Sequence, residues 1–177
     1  MKLTSIVLLL SLFTISLYGQ PSASTLIGNA CEEAKTENKN VFIIFTSSGC
    51  GWCKRMKKRM NDPRCETLFK DNYIIEYLTI KESQKNKHLE TPGALDYHYL
   101  WKGNHAGLPY WVILNDKGDL LEDALNYTGR NIGCPYQPEE VEEFIRILKK
   151  TSNLKRKELN LISIIFRTSY PKVKHIQ

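Results

Sequence analysis

Three observations predict an α/β architecture with a central mixed β-sheet flanked by helices. A continuous apolar run, Val41-Phe42-Ile43-Ile44-Phe45, has the β-branched and aromatic content of a strand buried on both faces. Helical and strand-like segments alternate in the order helix, strand, helix, strand, a variable connection, two strands, helix. The chain has 177 residues, of which 42% are hydrophobic and 25% charged, enough for one core of ordinary size.

Residues 1–19 stand apart. Lys2 precedes an apolar stretch reaching Leu17 and closing in Tyr18-Gly19-Gln20-Pro21, the pattern of a signal peptide. Ser11, Thr14 and Ser16 interrupt the stretch, which falls short of the ~20 apolar residues of a membrane span. A periplasmic or secreted location is expected, with no stable membrane insertion after signal removal. Residues 20–150 are then the folded domain and residues 151–177 a basic C-terminal tail.

Within the domain, residues 24–39 place Leu26, Ile27, Ala30, Cys31 and Ala34 at helical spacing among charged residues. The strand at 41–45 leads through Ser47-Ser48-Gly49 into a helix over 51–60. Asp62 and Pro63 suit the N-cap and first position of a further helix reaching Phe69. Residues 73–80 form a second strand candidate. Residues 81–107 are polar and turn-rich, with an aromatic cluster of Tyr97, Tyr99 and Trp101 that is a helix candidate. Residues 110–114 and 119–125 flank Asn115-Asp116-Lys117-Gly118 as a β-hairpin. Pro138 opens a helix to 150, acidic in its first turn and basic in its last. The stretch 159–166 is apolar enough for a strand or a helix, and the tail is expected to be solvated.

The formal net charge is +6, but residues from Lys149 onward hold eight Lys/Arg against one Glu. The cationic excess therefore belongs to the tail, and a nucleic-acid partner is not expected.

Cys50-Gly51-Trp52-Cys53 carries the chemistry. Two cysteines separated by two residues open a helix directly after a buried strand. The first sits where unpaired backbone N–H groups and the helix dipole favour an anion, which lowers a thiol from its free value of about 8.5. Lys54, Arg55, Lys57, Lys58 and Arg59 add a field of the same sign, largely screened by solvent.

The apolar strand, the Cys-x-x-Cys helix and a proline directly before a late strand, Leu108-Pro109-Tyr110-Trp111, together resemble the thioredoxin superfamily. Residues 50–71 resemble the exported thioredoxin-like domains of disulfide-reducing relays. The resemblance implies a thioredoxin-like fold over roughly residues 24–150, with Pro109 a cis proline facing the cysteine pair. It further implies that the backbone of Leu108 pairs with the substrate chain. The implied activity is disulfide exchange with protein thiols by a monomer without cofactor, as a reductant rather than an oxidant. Cys50 would attack, Cys53 would resolve, and Trp52, Leu108 and Pro109 would contact substrate. A separate redox partner would restore the cysteines. Two positions depart from the family pattern: Ile44 stands where many members carry a buried aspartate, and Gly49 where a tryptophan often precedes the motif.

The alternative is a copper or zinc binding domain on the same fold, with His105, four residues before Pro109, as a possible third ligand. Cys31, on the apolar face of its helix, and Cys65 read as small buried hydrophobes. Cys134, in Gly133-Cys134-Pro135, is a candidate second exchange site or structural bridge.

Overall fold

A computed structural model describes residues 19–167. Residues 1–18, and with them all but the last residue of the expected signal peptide, lie outside the described residues, as do residues 168–177. Among the described residues no helix is long and apolar enough to cross a membrane.

Helix α1 (Ala23–Glu37) starts at Ser22, whose hydroxyl accepts the Thr25 N–H at 3.2 Å, and ends at Asn38 in the left-handed region. Strand β1 (Asn40–Thr46) follows, then α2 (Gly51–Met60), α3 (Glu66–Lys70) and β2 (Tyr73–Thr79). After a 3₁₀ turn at Gln84–Leu89 come α4 (Ala94–Leu100), β3 (Tyr110–Leu114), β4 (Leu120–Asp123), α5 (Pro138–Thr151) and α6 (Arg156–Arg167). The sheet order is β2-β1-β3-β4, with β1 parallel to β2 and antiparallel to β3. The central position of β1 explains its unbroken apolar run, since Val41 to Phe45 are all buried.

Register sorts the side chains between two layers. Phe42 and Ile44 share a face with Tyr77, Trp111 and Ile113, and this face is covered by α2, α3, α5 and α6. Phe45 shares the other with Tyr110 and packs against His98 and Trp101 at the end of α4. On the first face Phe69, Phe144 and Phe166 meet with ring centroids 4.9–6.4 Å apart. Burying each such ring contributes roughly 1.5–3 kcal/mol.

Two expectations change. The regular part of α3 begins at Glu66 rather than at Pro63: Asp62 does cap, its carboxylate accepting the Arg64 N–H at 3.1 Å and its carbonyl the Glu66 N–H at 2.8 Å, but residues 63–65 form only a turn ahead of the helix. The segment after residue 150 is not simply solvated. Helix α6 buries Leu159, Ile162, Ile165 and Phe166 while Lys155, Arg156 and Lys157 stay outside, so the hydrophobic core extends past the expected domain end.

Candidate active site

The β1–α2 turn presents the cysteine pair. Cys50 is the N-cap of α2, and its sulfur accepts the Cys53 N–H at 3.0 Å, so a helix-end donor aims directly at the first sulfur. Cys50 and Cys53 are disulfide-bonded with Cα atoms 5.3 Å apart. Cys50 is partly exposed, whereas Cys53 is only 5% exposed. The turn itself is held from outside. Glu82 accepts from the Ser48 N–H and, at 2.7 Å, from the Ser48 hydroxyl, which keeps its carboxyl below the usual carboxylate range. Asn86 donates to the same hydroxyl at 3.2 Å.

Leu108-Pro109 is a cis peptide at the start of β3. Trp52, Leu108 and Pro109 line one cavity of about 660 Å³, together with Ile132, Cys134 and Tyr136. Trp52 stacks on Tyr136 at 5.1 Å, with the Arg55 guanidinium 4.4 Å from its ring centroid. At 43% and 44% exposure the two rings form a wall that still faces solvent. The structure thus brings Trp52 to the same cavity as Leu108 and Pro109, although 56–57 residues separate them in sequence.

Ile44 is buried beside Tyr77, on the sheet face that α2 covers, so β1 offers no carboxylate beneath the cysteines. Arg59 of α2 is buried there instead, donating to the Pro135 carbonyl at 2.7 Å and reaching the Cys134 sulfur at 3.8 Å.

Cys134 is a free thiol, 4% exposed, and does not form the bridge considered for it. Burial pushes it up to about 11 although Arg59 and Arg55 pull the other way, which makes it a poor nucleophile. Cys65 is buried, also pushed up to about 11, and its thiol donates to the Arg59 carbonyl at 3.3 Å. Cys31 is partly exposed rather than buried, and its thiol is raised chiefly by desolvation. His105 does line the cavity, but among the described residues no three His, Cys, Asp or Glu side chains gather in a way that could hold a metal ion.

Glu82 and Tyr136 carry no signal as site residues in the sequence, and Arg59 reads there only as one of several solvent-screened cations. Glu82 lies in a stretch without periodicity, and the others act through contacts with segments distant in sequence.

The Thioredoxin-like family model matches residues 26–115, just over half of the chain. A comparison with curated proteins returns no match. Among solved structures, a disulphide isomerase from Xylella fastidiosa Temecula1 is similar at 16% identity and a TM-score of 0.48, over 57% of this chain and 72% of that one. A DsbH oxidoreductase is similar at 18% identity and a TM-score of 0.47, over 73% and 83% of the two chains. The oxidised C-terminal domain of Neisseria meningitidis DsbD is similar at 17% identity and a TM-score of 0.42, over 75% and 98%.

Proposed function

This chain belongs to the thioredoxin-like family, and from that premise we propose that it is an exported oxidoreductase that reduces protein disulfides through Cys50 and Cys53. The observation that carries the reading is the asymmetry of the pair. The sulfur that a partner can reach, Cys50, is the one at the helix N-terminus with a backbone donor on it, and Cys53 is sheltered behind it.

In the dithiol form, the Cys50 thiolate attacks one sulfur of a substrate disulfide. That S–S bond breaks, the departing substrate sulfur takes up a proton, and a mixed disulfide joins Cys50 to the substrate. Cys53, after losing its proton, attacks the Cys50 sulfur, so that the second substrate thiol leaves and the Cys50–Cys53 bond closes. Two electrons have passed to the substrate. A dithiol-bearing redox partner then reduces the pair again. Protein chains are the substrates, contacted by Trp52, Leu108 and Pro109, and the domain works as a monomer without cofactor. Export is supported by the pattern of residues 1–19.

The reducing direction rests on the resemblance to exported reducing relays, and the equilibrium potential of the pair against glutathione tests it. A value near about −270 mV or below supports a reductant, and one near about −120 mV overturns that direction. The chemistry itself is tested with insulin. Cys53→Ser should accumulate a mixed disulfide between Cys50 and an insulin chain, and Cys50→Ser should form none. A wild type that reduces no insulin would remove the reading.

A further inference from the structure

The strip that the family uses to meet substrate is held in this chain by a single side chain. Asn131 Nδ2 donates to the Gly107 carbonyl at 2.7 Å and to the Pro109 carbonyl at 3.0 Å. Its Oδ1 accepts the Gly133 N–H at 2.9 Å. One amide therefore occupies the acceptors on both sides of Leu108 and ties them to the loop that leads into α5.

That loop is itself fixed. The Ile132 N–H donates to the Ala124 carbonyl at 2.8 Å, and the Trp111 indole N–H donates to the Gly133 carbonyl at 2.8 Å. Gly133 has a φ of +48°, and a Cβ there would lie 3.2 Å from the Pro109 carbonyl oxygen, so the two loops approach at a distance that suits glycine. Asn126 closes the preceding turn by accepting from the Thr128 and Arg130 N–H groups. Between its two anchored neighbours, the backbone N–H and carbonyl of Leu108 make no hydrogen bond among the described residues, and Leu108 lines the cavity beside Trp52.

We propose that Asn131 is a positioning residue for polypeptide substrates: it holds the carbonyls of Gly107 and Pro109 so that the free amide and carbonyl of Leu108 stand ready for an extended chain. This rests on the oxidoreductase reading and adds a division of labour to it. Asn131 governs how a substrate backbone docks, and it leaves the sulfur chemistry of Cys50 alone.

The test compares a protein disulfide with a small one. Asn131→Asp keeps the shape of the side chain but removes both donors and sets a carboxylate against two carbonyl oxygens. With insulin as substrate, KM should rise about tenfold while kcat stays within about twofold, the size expected for losing one or two net hydrogen bonds at docking. With 5,5′-dithiobis(2-nitrobenzoate), which has no peptide backbone, the rate should stay within about twofold, and the potential of the Cys50/Cys53 couple should not move. Asn131→Ala removes the donors without adding charge. It should show the same split, and it serves as the test if the aspartate variant does not fold. Rates that fall in parallel for both disulfides, or insulin kinetics that do not change, would overturn the proposal. A wild type that turns over neither disulfide would instead remove the oxidoreductase reading on which it rests.

Discussion

Among the described residues each face of the sheet buries one basic side chain, and the two are accommodated in opposite ways. On the face covered by α2, α3, α5 and α6, the Arg59 guanidinium donates to the Pro135 carbonyl and lies 5.7 Å from the Phe166 ring centroid. On the face covered by α1 and α4, His98 is fully buried against Phe45 and Tyr110, and neither of its ring nitrogens has a hydrogen-bond partner among the described residues. Burial, helped by Lys81, lowers this imidazole to about 4, so it sits in the core as a neutral ring. The guanidinium is given an acceptor and an aromatic face, whereas the imidazole, packed against Phe45 and Tyr110, is given no acceptor and is held neutral. The first face should therefore depend on packing and the second on pH.

The largest expected effect breaks the packing of the first face. Phe144 touches Phe69, Trp111 and Phe166, so Phe144→Ala removes the ring that joins α3, β3 and α6. Urea unfolding should show a loss of about 4 kcal/mol. The potential of the cysteine pair in the protein that remains folded should be unchanged, and a shifted potential would mean that the two regions are coupled.

A somewhat smaller effect reads the second face. Above pH about 6.5, His98 is neutral in both the folded and the unfolded chain and contributes no slope. As the pH falls from 6.5 to about 4, the unfolded chain takes up a proton that the fold refuses, so stability is lost progressively, by about 3 kcal/mol in all. Below that range both states are protonated and the loss is complete. His98→Leu should flatten this part of the stability profile in urea titrations at successive pH values. A variant as acid-sensitive as the wild type would place the dependence elsewhere.

The smallest effect sharpens the contrast beside Arg59. Cys134→Ala removes a thiol 3.8 Å from the guanidinium but leaves the 2.7 Å bond to Pro135. A cost of about 1 kcal/mol or less is expected by thermal unfolding, because the shorter bond from the same guanidinium nitrogen to the Pro135 carbonyl remains. A cost of several kcal/mol would mean that the cation depends on the thiol instead.

The central strand was legible because a strand flanked on both edges and both faces has only apolar positions to fill, and Val41 to Phe45 fill them. The cysteine pair and Pro109 were legible because their chemistry depends on local spacing. Helix α6 was only half legible. The apolar content of residues 159–166 is visible in sequence, but the surface it needs, made of Phe69 and Phe144, lies tens of residues away. Asp62-Pro63 marks a capped turn, but the regular part of α3 starts only at Glu66, a boundary that the local signal does not resolve. Within residues 81–107 the aromatic cluster marks the helix that is α4, but the 3₁₀ turns at Gln84–Leu89 and Gly103–His105 are too short to build a period. Glu82 and Asn131 carry no local signal at all, since each acquires its role only when the fold sets it against a turn 22–34 residues away.

The three remaining thiols bear on how the molecule counts electrons. Cys31, Cys65 and Cys134 are each raised above an ordinary thiol, chiefly by desolvation, and only the Cys50 sulfur has a helix-end donor aimed at it. On the proposed reading, the working unit is a single couple, Cys50–Cys53, which exchanges electrons two at a time with a Nernst slope of about 30 mV per decade, while three of the five cysteine sulfurs stand outside it.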